Sequence, residues 1–324
     1  MTRMTKLRAG LGTPSLAALS LAALSLAGLL AGGLCLGPAA PAQAGNAYKA
    51  LFAFGDSLSD VGNYYAISNG TTPPSPPYSL GRYSNGPVWV QTLASSLGVR
   101  PLSASVKGGT VYATGGATAS GHRVADLAGQ FQQYTAVNGT VASGTALFTV
   151  AIGVNDLQEA VNAGANSTAL MATATQAVTD TMSVVAQLLA MGARHIIVTT
   201  PPDVTRTPSS ANMSPPQLAA LAAGLRTFVS ALNAQVAALQ LPAGAKVSVL
   251  DIYTLLDSVI AQPASMGFTN VNNACLTYMA GPPATLMQCA TSKAGQDQYL
   301  WWDIKHPTEH GHQAIAAQAL LQLP

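Results

Sequence analysis

The chain has 324 residues, 14 of them Lys or Arg and 12 Asp or Glu, and charged residues make up only 8% of it. Three of the basic residues (Arg3, Lys6 and Arg8) and none of the acidic ones fall in the first 44 positions, so the remainder carries a net charge of −1. That near-neutrality excludes a nucleic-acid surface, and the length suits one large domain with a buried core.

The basic start is followed by an almost uncharged stretch, Ser15 to Leu36, and by Ala42-Gln43-Ala44, a small-x-small cleavage site before Gly45. This order predicts a secretory signal peptide over 1–44, removed to leave an exported, periplasmic or extracellular domain over 45–324. An uncleaved membrane anchor is the competing reading, since the apolar stretch is long enough to span. Leu34 argues against a lipoprotein anchor at Cys35, because such sites take a small residue there. Processing leaves two cysteines, Cys275 and Cys289, which an oxidising compartment should join in a disulfide. A loop of that length is worth about 3 kcal/mol in the chain-entropy picture.

In chain order, Ala50 to Phe54 reads as a buried parallel strand, stopped by Gly55. A loop rich in turn formers (71–77) leads through Gly81 to Gly86 into a helix near Pro87, with Trp89, Leu93 and Leu97 at helical spacing. Gly109 to Ala113 is predicted as a second strand and Ala146 to Ile152 as a third. Ala169 to Met191 is a long helix, His195 to Thr199 a fourth strand, Gln217 to Gln240 a helix and Val247 to Leu250 a fifth strand. Val259 to Gln298 reads as irregular, and Thr308 to Leu321 as a terminal helix. The alternation predicts an α/β fold, a five-stranded parallel sheet between two helix layers, with its site at the carboxyl ends of the strands.

The chemistry-bearing residues fall at those ends. Ser57 follows the first strand in Gly55-Asp56-Ser57-Leu58-Ser59-Asp60, and Asp303-Ile304-Lys305-His306 lies near the far end of the chain. A serine hydroxyl is a poor nucleophile until a base takes its proton and a third group orients that base. Asp303 and His306 have the types and spacing for those roles. Gly116 can offer a backbone N–H to an oxyanion, Asn155 a side-chain amide, and Ser57 its own N–H. Taken singly, Gly115-Gly116 reads equally well as a turn and Asn155 as a helix cap.

Four segments in this order resemble the GDSL esterase and lipase family, also called SGNH hydrolases. Phe54 to Asn63 is similar to the family's first block, Tyr112 to Thr118 to its second, Gly153 to Asp156 to its third and Trp302 to Thr308 to its last. Gly81-Arg82-Tyr83-Ser84-Asn85-Gly86-Pro87-Val88-Trp89 also resembles a segment of the secreted bacterial lipase and phospholipase-like branch. The resemblance implies a flavodoxin-like three-layer fold and a triad of Ser57, His306 and Asp303. It also implies an oxyanion hole of Ser57, Gly116 and Asn155, an ester substrate that extends to lipids, and no cofactor or metal. Val111 departs from the pattern, since asparagine is expected there, which puts one supporting hydrogen bond in question.

Other readings compete. No serine satisfies the Gly-x-Ser-x-Gly elbow of α/β-hydrolases. His306-Pro307-Thr308-Glu309-His310 matches a His-x-x-Glu-His zinc signature, but Pro307 pushes His306 out of the helix that such a site needs. Asp203 is an alternative orienting acid, and His122, Arg123 and Asp126 suit either the mouth of the site or, better, a solvated loop. His195 reads as structural, and Trp301 and Trp302 suit either an acyl-pocket wall or packing. An acyltransferase with an alcohol acceptor or a polysaccharide deacetylase would use the same constellation, whereas a surface-binding module would not need Ser57. A monomer suffices for any of these.

Overall fold

Four runs of apolar, β-branched and aromatic residues lie side by side in one parallel sheet. They are β1 (Ala50–Gly55), β2 (Ala146–Ala151), β3 (His195–Thr199) and β4 (Lys246–Leu250), paired in that order. The computed structural model describes residues 48–278, 285–287, 289 and 291–323; the signal peptide expected over 1–44 lies outside them.

Successive side chains of a strand point to opposite faces, so each strand feeds two cores. On β2, Phe148 and Val150 enter one core and Leu147 and Ala151 the other. Helices follow the strands in chain order: α1 (Asn63–Ile67), α2 (Trp89–Ser96), α3 (Leu127–Asn138), α4 (Val154–Asn162), α5 (Ser167–Met191) and α6 (Pro215–Ala237). After β4 come α7 (Ile252–Ala261), α8 (Lys293–Gln296) and α9 (Glu309–Leu320). The first face is covered by α3, α4, α5 and α6, through Phe131, Leu157, Val185 and Phe228 among others. The second is covered by α2, α7 and α9, through Trp89, Leu93, Ile252 and Ile315. This is the α/β/α layering expected. The Asn166 side chain caps α5, and Ser214 with Gln217 forms a capping box on α6; each satisfies N–H groups that a helix start leaves open.

The sheet has four strands where five were expected. The segment predicted as the second strand, Gly109 to Ala113, runs beside β1 but forms only isolated bridges, from Val111 to Ala53 and to Ala104. It does bond to β1, through Ala53 N–H to Thr110 O, Tyr112 N–H to Ala53 O and Thr114 N–H to Gly55 O, while Val111 N–H goes to Ser103 O and Asn63 Nδ2 donates to Val111 O at 2.7 Å and Ala113 O at 2.9 Å. Asn63 thus braces the segment through its backbone, and Val111 itself is fully buried.

The described residues between 259 and 298 include strands where the sequence reads as irregular. They are β5 (Asn270–Ala274), β6 (Leu276–Tyr278) and β7 (Thr285–Met287); β5 pairs with β8 (Tyr299–Trp301) in parallel, and β6 with β7 antiparallel. Strands of three to five residues carry too little alternation to be read from sequence. Cys275 and Cys289 are disulfide-bonded here, with Cα atoms 4.9 Å apart, and pack with Tyr78 and Trp302.

Candidate active site

At the end of β1 the chain turns at Gly55, whose φ is +150° and where any Cβ would collide with Ala151 O. Gln130 of α3 fixes both sides of that glycine, accepting from its N–H at 2.8 Å and donating to its carbonyl at 2.7 Å. The turn leaves Ser57 at the carboxyl end of the sheet. From the other end of the chain, β8 leads into a tight loop and then α9, whose first N–H groups are capped by Thr308.

These two segments meet. His306 Nε2 lies 2.9 Å from Ser57 Oγ, and His306 Nδ1 lies 2.8 Å from Asp303 Oδ2 and 3.0 Å from Oδ1. The carboxylate is held in turn by Tyr78 OH at 2.6 Å and by the N–H groups of Lys305 and His306. Burial alone would raise the Asp303 carboxyl. The imidazole beside it and these hydrogen bonds outweigh that and keep it below its ordinary value. An ionised carboxylate only accepts, so Nδ1 carries the imidazole proton and Nε2 is left to accept from Ser57.

The loop carrying Gly116 is held at almost every peptide from 115 to 120. Gly115 N–H donates to Asp60 Oδ2, Arg123 Nη2 donates to Gly116 O at 3.0 Å, and Asn155 Nδ2 donates to Ala117 O at 2.9 Å. Asp126 accepts from Thr118 N–H, and Asp156 from the N–H groups of Ala119 and Ser120. Gly116 has a φ of +74° and open space where a Cβ would point. Asp60 also accepts from the N–H groups of Gly62, Asn63 and Tyr64, so one carboxylate joins the Ser57 turn to the Gly116 loop. Burial, followed by the nearby Asp156 among the raising effects, pushes the Asp56 carboxyl up to about 7 against the Leu58 N–H bond.

Ser57, Asp303 and His306 are brought together; Gly116 lies in the braced loop, and Asn155, in the first turn of α4, holds that loop through Ala117 O. Asp203 is not part of the group: its Oδ1 accepts from Thr205 N–H and Oγ1. His310 turns away from His306, binding Asp297 O and packing on Phe268. Asp126 is not a solvated loop residue but fully buried, because it caps the Thr118 turn and pairs with Arg123. Trp301 and Trp302 are both buried, with Trp301 Nε1 donating to Val271 O. His195 packs its ring edge on Tyr48. Sequence reasoning missed Tyr78, which reaches Asp303 across 225 positions, and the roles of Asp60 and Asp126. The Gly81 to Trp89 resemblance was the only signal near Tyr83, whose ring lies 4.9 Å from that of His306.

Residues 51–319 match the family model of the GDSL-like lipase/acylhydrolases. The thermolabile hemolysin of Vibrio parahaemolyticus is 25% identical over 83% of this chain, which spans 62% of the hemolysin's length. A GDSL esterase/lipase of Arabidopsis thaliana is 26% identical over 88% of this chain and 92% of its own. The crystal structure of an extracellular lipase from Streptomyces rimosus aligns with 85% of this chain and all of its own, at 19% identity and a TM-score of 0.44. The chain belongs to the GDSL-like lipase/acylhydrolase family, and the reaction class that comes with membership is carboxylic ester hydrolysis.

Proposed function

We propose that the protein is an exported serine esterase acting on acyl esters, lipid esters included, through Ser57, His306 and Asp303. The observation that carries this reading is the continuous line of hydrogen bonds from Ser57 Oγ through both imidazole nitrogens to Asp303. His306 Nε2 takes the hydroxyl proton as Ser57 Oγ attacks the ester carbonyl. Asp303 holds the ring and balances the imidazolium that forms. The N–H groups of Ser57 and Gly116 and the second amide hydrogen of Asn155 receive the oxyanion. As the tetrahedral intermediate collapses, the C–O bond breaks and the alcohol leaves with the proton from His306. A water, activated by the same imidazole, then attacks the acyl-enzyme and releases the acid and Ser57. No step calls on a metal or cofactor.

One further feature supports the reading. The bonded cysteines fit an oxidising compartment, as does the segment over 1–44.

The test is hydrolysis of a p-nitrophenyl ester series, from acetyl to palmitoyl, by the protein over 45–324 and by its Ser57→Ala variant. Turnover that disappears in Ser57→Ala, with a chain-length profile, is expected. A folded protein inactive on every ester would count against the reading.

A further inference from the structure

The segment from Tyr78 to Gly86 has no part in the proposed triad, yet it closes over the loop that bears two of its members. Tyr78 OH donates to Asp303, Ser84 Oγ donates to Pro307 O at 2.9 Å, and Asn85 Oδ1 accepts from Glu309 N–H at 2.7 Å. Between these contacts sits Tyr83. Its ring covers the His306 imidazole with centroids 4.9 Å apart and planes tilted by 37°. Its other side lies against Gly115, where any Cβ would collide with the phenol ring. Tyr64 and Tyr78 pack around it, with ring centroids 6.5 and 6.3 Å away.

We infer that Tyr83 is a positioning residue for the hydrolytic reaction: wedged between His306 and the Gly116 loop, it fixes the plane of the imidazole and favours the imidazolium. The inference rests on the proposed triad. Both imidazole edges are engaged, one with Ser57 and one with Asp303, so a rotation of the ring breaks both contacts at once. A face covered by a fixed ring resists that rotation. An aromatic face is also electronegative, and a cation within about 6 Å of it is attracted. The imidazole becomes a cation as the ester is attacked, so this attraction is stronger in the transition state than in the ground state and appears in kcat. Gly115 serves the same arrangement, because its missing side chain lets the phenol approach the oxyanion loop.

The experiment compares wild type, Tyr83→Phe, Tyr83→Leu, Tyr83→Met and Ser57→Ala on p-nitrophenyl butyrate, reading kcat and KM separately. Tyr83→Phe keeps the aromatic face and should stay within about threefold of wild type. Tyr83→Leu should lose about tenfold in kcat, with KM changed less than about twofold. Tyr83→Met, which keeps bulk without the ring, stands in if Tyr83→Leu does not fold. Proton NMR of the His306 Nδ1–H gives an independent readout. A sharp downfield resonance in wild type and Tyr83→Phe should broaden in Tyr83→Leu or Tyr83→Met, even where the melting temperature is unchanged.

Wild-type kcat in folded Tyr83→Leu or Tyr83→Met would overturn the inference, as would a loss confined to KM, which would make Tyr83 a wall of the substrate pocket. Ser57→Ala separates the two levels. If it is inactive while Tyr83→Leu behaves as wild type, only the Tyr83 inference fails; if it stays active, the triad itself fails.

Discussion

Ser57 Oγ and His306 Nε2 lie 2.9 Å apart although 249 positions separate them in sequence. The contact is made by two chain reversals at the same end of the sheet. One is the turn after β1, forced at Gly55 and held by Gln130 and Asp60; the other is the loop between β8 and α9, held by Asp303, Tyr78 and Ser84. Neither reversal depends on the side chains of the proposed reaction alone. Substitutions at the chemical groups should therefore alter rate much more than fold.

Asp303→Asn tests this most simply. The amide oxygen stays on the N–H groups of Lys305 and His306, so its NH2 faces Nδ1 and selects the other imidazole tautomer, and turnover should fall by about three to four orders of magnitude. Near-ultraviolet circular dichroism should remain that of the wild type. Near-normal turnover in a folded variant would remove Asp303 from its proposed role.

Asn155→Ala addresses the oxyanion site. The substitution removes one donor for the developing charge and one hydrogen bond to Ala117 O. Turnover should drop by about a hundredfold or more, with little change in KM. A loss seen only in KM would place Asn155 in ground-state binding.

Arg123 braces the same loop from outside, through Gly116 O, while it is paired with Asp126 and Glu159. Arg123→Gln should lower kcat by about three- to tenfold, the cost of loosening one charge-assisted hydrogen bond. Glu159→Gln, which touches Arg123 but not the loop, should leave kcat as it is. Equal kinetics for the two variants would show that the Gly116 peptide is held without Arg123.

Two buried groups set opposing pH dependences of stability. Burial pushes Asp56 up to about 7, so between about pH 4 and 7 the folded state keeps a proton that the unfolded state has released; stability from this group falls as pH rises through that window. His312 is fully buried and lowered to about 3, first by burial and then by the neighbouring His306. Between about pH 3 and 6.5 the unfolded state takes up a proton that the folded state refuses, so stability from His312 falls as pH drops. Over pH 4 to 6.5 the two oppose each other, each at about 1.4 kcal/mol per pH unit at most. Urea unfolding should show each single variant unmasking the other group: His312→Leu gains stability on acidification from pH 7 to 5, and Asp56→Asn loses it. Parallel profiles for both variants and wild type would contradict the assignment.

The parts of this arrangement legible in the sequence are those encoded locally. A buried apolar run ending in glycine located β1 and Ser57, and the three-residue spacing of Asp303 and His306 is short enough to be read as a pair. Long-range partners left no such trace. Tyr78 and Tyr83 sit in a Pro-rich stretch without periodicity, and what they do depends on residues more than 200 positions away. Asp126 reads with His122 and Arg123 as a solvated loop after the glycine pair, yet the Thr118 turn folds over it. The expected strand at Gly109 to Ala113 does bond to β1, but it bridges it only at Val111, and Asn63 and Ser103 take the remaining groups of Val111 and the Ala113 carbonyl.

The most direct measurement is covalent trapping with a fluorophosphonate ester, read by mass spectrometry of the intact protein and of its peptides. One equivalent should bind at Ser57, with esterase activity lost in proportion to labelling and no labelling in Ser57→Ala. Labelling at another serine, or hydrolysis that persists in the fully labelled protein, would contradict Ser57 as the nucleophile.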